Sequence, residues 1–385
     1  MQNVKALVSE VLNEAADMLA TGRSSARVKV GITLLGSEHG PLEVLAGAEQ
    51  AQRQLPDAEV VVIGPADIET KLTKVEASDE EEAHCAMDRL LDSGELQAAV
   101  TMHYNFPIGT STVGLVVTPG RGKKMFIATT TGTSSSDRVE GMVKNAVYGV
   151  AAAKAYGLQN PTIGILNVDG SRQVERILTE LRSRGYQMNF VASSRSDGGV
   201  VMRGNDLLAG TPDIMVCDSL TGNLLIKLFA AYTTGGSYES LGYGYGPGVG
   251  DGYSKIINII SRASGAPLIT GAIEYAAAMA KGNLVAVARQ EIGAAKKAGL
   301  DEIARPQKKD QPAAAPAAAP PKKIVSKQIA GIDVLDLENA QQLLWSKGVY
   351  AETGMGCTGP IILVAPEDLD NSLGILVENN IISAK

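Results

Sequence analysis

The chain has 385 residues, of which 45% are hydrophobic, 20% charged and 4% aromatic, with a formal net charge of −7. That length exceeds one typical domain, and the apolar share is ample for a soluble core. The acidic balance and the scarcity of rings exclude a broad basic footprint or a stacking platform for nucleic acid.

Residues 3–20 place Val4, Leu7, Val8, Val11, Leu12, Ala15 and Leu19 at helical spacing, which predicts an amphipathic N-terminal helix within residues 1–24. The opening Met1–Lys5 has no charged region followed by an apolar run, and no stretch approaches the length of a bilayer span. Cys85, Cys217 and Cys357 show neither metal spacing nor a paired framework. A cytoplasmic protein without metal, membrane or nucleic-acid partner is expected.

Residues 25–305 read as an α/β body. Strands are predicted at Val28–Thr33, Glu59–Ile63, Ala98–Met102, Met125–Thr129, Thr162–Val168 and Ile214–Cys217. Helices are predicted near 42–53, 80–93, 137–156, 171–184, 222–232, 254–262 and 269–298. The alternation implies a mainly parallel sheet with helices on both faces. Residues 306–323 hold repeated prolines among alanines, the composition of an extended, semi-rigid tether. Residues 324–385 form a small C-terminal α/β module, with a helix near Leu337–Lys347, a strand at Ile361–Val364 and a last helix from about Asp368.

In parallel sheets ligands gather at the carboxyl ends of strands, where helix N-termini also point. Five segments at such places are rich in Gly, Ser and Thr: Gly36–Pro41, Asn105–Thr112, Thr129–Ser136, Asp218–Asn223 and Gly246–Gly252. Each is read as a loop, and together they predict an anion site. The candidates are Ser37, Gly40, Asn105, Thr110, Ser111, Thr131, Thr133, Thr221, Gly222, Asn223, Lys227 and Asp251. The set matches neither the phosphate-loop nor the dinucleotide fingerprint. His39 and His103 fall on the same side and are candidates for orienting an anion or moving a proton. His84, in an acidic helix, reads as a solvated surface residue, and Cys85 and Cys217 as inert thiols.

Cys357 is different. It sits in Glu352-Thr353-Gly354-Met355-Gly356-Cys357-Thr358-Gly359-Pro360, where bare backbone lets a substrate approach and N–H groups face an oxyanion. A thiolate there predicts covalent acyl chemistry, against the alternative of a small thiol in a tight turn.

The stretches Ser37–Ala48, Ile165–Val168 and Val216–Lys227 resemble the fatty acid phosphate acyltransferase superfamily, which shares its fold with phosphate acetyltransferases. The tether, Gly331–Leu335, Glu352–Pro360 and Thr101–Pro107 further resemble the component C alpha subunits of glycine, sarcosine and betaine reductase complexes. The resemblance implies that an acetyl thioester on Cys357 is released by inorganic phosphate, a co-substrate, as acetyl phosphate, with no cofactor required. It also implies two partners: a ketoacyl synthase-like beta subunit and the carboxymethyl-carrying selenoprotein. An oligomer is expected. Two other readings stand beside it. One is a stand-alone phosphate acyltransferase acting on coenzyme A or carrier-protein thioesters. The other is a non-catalytic assembly subunit.

Overall fold

The computed structural model describes residues 27–194, 198–304, 317–330, 332, 337–356, 359–379 and 381–382. The N-terminal helix expected within residues 1–24, most of the tether and Cys357 lie outside the described residues.

The chain opens with strand β1 (Val28–Thr33), helix α1 (Pro41–Gln54), β2 (Ala58–Gly64), β3 (Thr73–Glu76), α2 (Glu80–Asp92) and β4 (Ala98–Thr101). Then come β5 (Thr110–Val117), β6 (Lys124–Thr133), α3 (Arg138–Ala155), β7 (Thr162–Leu166), α4 (Ser171–Ser183), β8 (Asn189–Phe190) and β9 (Val201–Met202). After α5 (Gly204–Ala209), β10 (Ile214–Val216) leads into α6 (Ser219–Ala231), β11 (Gly246–Gly250) and β12 (Ile257–Ile259). Three helices follow: α7 (Ala266–Lys281), α8 (Leu284–Lys297) and the short α9 (Leu300–Ile303).

One sheet runs β3-β2-β1-β4-β12-β11-β5-β6-β10-β7-β8, with β9 also paired to β7. It is parallel from β3 to β12 and again from β6 to β8. The pairings β12–β11, β11–β5 and β5–β6 are antiparallel and divide it into two halves. Strand β11 is shared between them, with Gly246 and Pro247 on β12 and Gly248–Gly250 on β5.

Successive residues of a strand feed opposite faces. Val60 and Val62 join one apolar cluster with α1, α3, α7 and α8, while Val61 and Ile63 join another with α2 and α6. This is the expected helix-covered, mainly parallel sheet. Helix starts follow ordinary chemistry: Asp79, Asp137 and Asp218 accept backbone N–H bonds from Glu82, Glu140 and Thr221 at 2.8, 2.8 and 3.0 Å.

Four expectations differ. The helix expected at 254–262 is absent, and Ile257–Ile259 is a buried central strand instead. Gly246–Gly250, read as a loop before that helix, is the fully buried β11. Gly248 there packs against Phe106, whose ring a Cβ would meet at 2.4 Å. Thr110–Thr112 and Thr129–Thr133, read as loops, are strand residues of β5 and β6. The helix expected over 269–298 is two helices. They break at Gly282–Asn283, where a Cβ on Gly282 would lie 1.7 Å from the Ala155 carbonyl at the end of α3.

Beyond residue 326, β13 (Lys327–Ala330), α10 (Leu337–Ser346), β14 (Ala351–Gly356), β15 (Gly359–Val364) and α11 (Leu369–Glu378) make a separate antiparallel sheet, ordered β13-β15-β14. It has its own apolar cluster, including Ile329, Leu344, Ile362, Val364 and Leu376. Gly356 of β14 pairs with Gly359 of β15.

Candidate functional site between the half-sheets

A cavity of about 250 Å³ collects residues from the carboxyl ends of strands in both halves. From the first half come Glu38 after β1, Met102 and His103 after β4, and Arg262 after β12. From the second come Thr131 and Gly132 at the end of β6, and Asn223 and Lys227 on the helix that follows β10. Tyr245, just before β11, closes the wall.

The polar floor is built by a register shift between Ser111 and Val113 in the β5–β6 pair. Thr112 and Thr130 share a hydroxyl bond at 2.7 Å, and Thr112 accepts the Thr131 N–H at 3.0 Å. Thr130 donates to the Tyr245 carbonyl at 2.7 Å, and Asn223 Nδ2 donates to the Thr130 carbonyl at 3.1 Å. These bonds tie β5, β6, β11 and α6 together directly under the cavity.

The two cations differ. Arg262 is held by Glu80 at 3.1 Å, whereas Lys227 forms no ion pair among the described residues. His103 has its pKa lowered by burial and by the neighbouring His84 and Arg262, so it is neutral at neutral pH. His84 corrects the expectation of a solvated residue. It is half-buried, its Nε2 lies 3.0 Å from the Thr101 hydroxyl, and its ring centroid is 6.5 Å from that of His103. Burial lowers its pKa as well.

The candidates therefore separate. His103, Thr131, Asn223 and Lys227 converge on the cavity. Thr133 lines a second cavity of about 330 Å³ across Gly132, beside Ser134–Ser136 and the starts of α3 and α6. Ser37 accepts the His39 N–H at 3.1 Å within its turn, and Gly40, at φ 83°, precedes α1. His39 is exposed and packs edge-on to Tyr238 at 6.1 Å rather than lining either cavity. Asn105 is exposed outside both.

Several candidates have structural engagements. Thr110 is buried in β5, and Ser111 donates to Asn145 at 3.2 Å. Thr221 donates to Asp218 at 2.7 Å. Gly222 sits against the Thr129 carbonyl, 1.7 Å from where a Cβ would be. Asp251 pairs with Lys296. Cys217 is buried and donates toward the Thr129 carbonyl at 3.7 Å, and burial pushes its thiol up. Cys85 is exposed. Among the described residues no cluster of His, Cys, Asp or Glu fits a metal, and no helix is long and apolar enough to cross a membrane. A larger cavity, about 810 Å³, lies elsewhere, lined by residues that include Val28, Asp57, Leu96 and Lys281 and by neither a thiol nor an imidazole.

Arg262, Ser261 and Tyr245 were missed by sequence reasoning. The run Ile256-Ile257-Asn258-Ile259-Ile260 was the available signal, since β-branched residues favour a strand that would end at Ser261-Arg262.

Fold and cavity together define an α/β protein with a cation-bearing polar cleft at the meeting of two half-sheets. The chain belongs to the fatty acid synthesis protein family, whose sequence profile matches residues 28–363. It is 54% identical over 386 residues, 100% of each chain, to the glycine/sarcosine/betaine reductase complex component C subunit alpha of Peptoclostridium acidaminophilum. It is 27% identical over 234 residues to a phosphate acyltransferase of Thermotoga petrophila, covering 53% of this chain and 68% of that protein. Among solved structures, a branched-chain phosphotransacylase from Enterococcus faecalis V583 aligns with a TM-score of 0.47 at 17% identity, over 66% of this chain and 99% of that one.

Proposed function

We propose that this chain is the acyl-transfer subunit of a glycine/sarcosine/betaine reductase-type complex, releasing a Cys357-bound acetyl group to inorganic phosphate as acetyl phosphate. The observation that carries the reading is the convergence of Lys227, Arg262, His103, Asn223 and the end of β6 on one cavity. The full-length identity to a component C alpha subunit supports the complex, and the relation to phosphate acyltransferases supports the acceptor.

In this reading phosphate sits between Lys227 and Arg262 and is hydrogen-bonded by Thr131 and Asn223. One of its oxygens attacks the thioester carbonyl, the carbon–sulfur bond breaks, and the sulfur leaves as thiolate. The proton carried by the attacking phosphate passes by way of neutral His103 to the sulfur, which balances the step. A thioester is already an activated donor, so positioning is the main task. The proline-rich segment lets the thiol visit both its loading partner and the cavity by raising its local concentration at each. The loading partners are a ketoacyl synthase-like beta subunit and the carboxymethyl-carrying selenoprotein, and no cofactor is needed.

The test is the intact mass of the full chain after incubation with acetyl phosphate, for wild type and Cys357→Ala. The expected result is an adduct of about 42 Da, one acetyl in place of one proton, absent from the variant and discharged by phosphate or arsenate. Phosphate-dependent turnover persisting in Cys357→Ala, with no adduct on the wild type, would instead favour direct phosphorolysis of an external thioester.

A further inference from the structure

Behind the cavity wall lies a carboxyl group that the proposed reaction does not use. Glu239 is 4% exposed, and its Oε2 is buried without a hydrogen-bond partner among the described residues. Its backbone is pinned on both sides: its N–H donates to the Ala263 carbonyl, and its carbonyl accepts from Gly265, both at 2.9 Å. Ser264, bridged to it, also buries a hydroxyl without a partner among the described residues.

The neighbours of Glu239 are residues of the cavity. Ser261 lies beside both Glu239 and Tyr245, and both Ser261 and Tyr245 line the cavity. The charged groups facing Glu239 are Lys227 and Glu38, which line the cavity too. Burial raises the Glu239 pKa above the ordinary carboxyl value and outweighs Ser261 and Lys227, which act the other way.

An ionised carboxylate with one bare oxygen in this place would be costly, and it would set a negative charge beside any bound anion. A neutral carboxylic acid removes both penalties. It also sets the direction of any hydrogen bond between Glu239 and the adjacent Ser261, because a protonated carboxyl donates and an ionised one only accepts.

We propose that Glu239 is a positioning residue held as a neutral acid, whose O–H donates to Ser261 and so turns the Glu239–Ser261–Tyr245 chain into a donor toward an oxyanion in the cavity. Ser261 already accepts the Ala263 N–H at 3.2 Å, which leaves one lone pair for Glu239 and its own hydrogen to pass on. On ionisation Glu239 accepts from Ser261 instead, the chain reverses, and the cavity presents an acceptor and an added charge. The site thereby selects a tetrahedral oxyanion over a neutral ligand. This inference rests on the reading of the cavity as the phosphate site.

The test is calorimetric titration of the full chain with sulfate, which stays a dianion from mildly acid to alkaline pH and so leaves only protein groups to titrate. Wild type, Glu239→Gln, Ser261→Ala and the double variant are compared in buffers of different ionisation enthalpy. Wild-type affinity is expected to fall as pH rises through the Glu239 pKa, with proton uptake on binding. Glu239→Gln, whose amide donates permanently, is expected to lose that part of the fall and of the proton uptake. His103 titrates in both proteins, so the difference isolates position 239. In the Ser261→Ala background the exchange at 239 is expected to matter less. Sulfate binding with identical pH dependence and proton uptake in wild type and Glu239→Gln overturns the inference and leaves the phosphate reading intact. Absence of binding to wild type overturns both.

Discussion

The two halves of the sheet meet at one cavity but equip it differently. The first half supplies groups that carry or exchange protons: His103, backed by His84, and Arg262, held by Glu80. The second half supplies mainly uncharged groups in a rigid setting. Thr112, Thr130, Thr131 and Asn223 are bonded to one another, and Lys227 rises from the same helix as Asn223. The contrast is one of tunability against rigidity. Imidazoles and an arginine–glutamate pair respond to their surroundings, while threonine hydroxyls locked on backbone carbonyls do not. The proposed anion site thus has a fixed floor and an adjustable wall.

The rigid side breaks most abruptly. Gly222→Ala would drive a Cβ into the Thr129 carbonyl, which neither β6 nor α6 can yield without disturbing the floor. The expected loss is about 3 kcal/mol or more of unfolding free energy, by denaturant titration, with phosphate binding lost in parallel. A variant with wild-type stability would mean that α6 and β6 are not rigidly docked.

Next in size is Lys227→Ala. Removing this cation, which forms no ion pair among the described residues, should weaken phosphate or sulfate binding about tenfold to a hundredfold, the value of one charge-assisted hydrogen bond. Stability should be nearly unchanged. Equal affinity by calorimetry would move the anion away from α6.

The adjustable wall gives smaller, pH-dependent effects. His84 and His103 have folded-state pKa values below the ordinary imidazole value, chiefly through burial. Their contribution is present above the unfolded value of about 6.5 and is lost as pH falls through their folded values. Thermal stability should therefore decline on acidification through that window. His84→Gln should reduce the slope by at most about one proton, read as unfolding free energy against pH. An unchanged slope would mean that His84 charges freely in the folded protein.

The smallest effect is expected from Glu80→Gln, which releases Arg262 from an ion pair whose partners are both exposed at 42% and 46%. Stability should shift by less than about 1 kcal/mol. The informative readout is sulfate affinity, which should rise as Arg262 becomes available to the anion. Weaker binding would show that Glu80 aims the guanidinium rather than competing for it.

Much of the frame was legible in the residues. The helices at Pro41–Gln54, Glu80–Asp92 and Arg138–Ala155 fall within a residue or two of expectation, because their start signals (Pro41 in the first, capping Asp79 and Asp137 in the others) and periodic apolar positions act locally. The threonine and glycine runs of β5, β6 and β11 were misread as loops for an equally physical reason. Such residues usually mark turns, and only a central strand sandwiched between layers gives them a reason to be extended. At Gly248 that reason is the Phe106 ring, 142 residues away along the chain and brought close by the fold alone. The same holds for the site. Lys227 and Asn223 stood out by following a strand, whereas Arg262 was hidden because its strand is three residues long and depends on pairing with β4, far away in sequence.

The sequence by itself determined the alternation of strands and helices, the acidic balance, the isolation of Cys357 among glycines and the chemistry available at each strand end. These depend on neighbours along the chain, whose preferences are expressed within a few residues. Only the tertiary structure decided which strand ends share a cavity, which threonines are spent on holding β5 to β6, and that the Glu239 side chain is buried. Those outcomes depend on pairings between distant segments and on burial, and a carboxyl group or hydroxyl acquires its role only when the fold has removed its water.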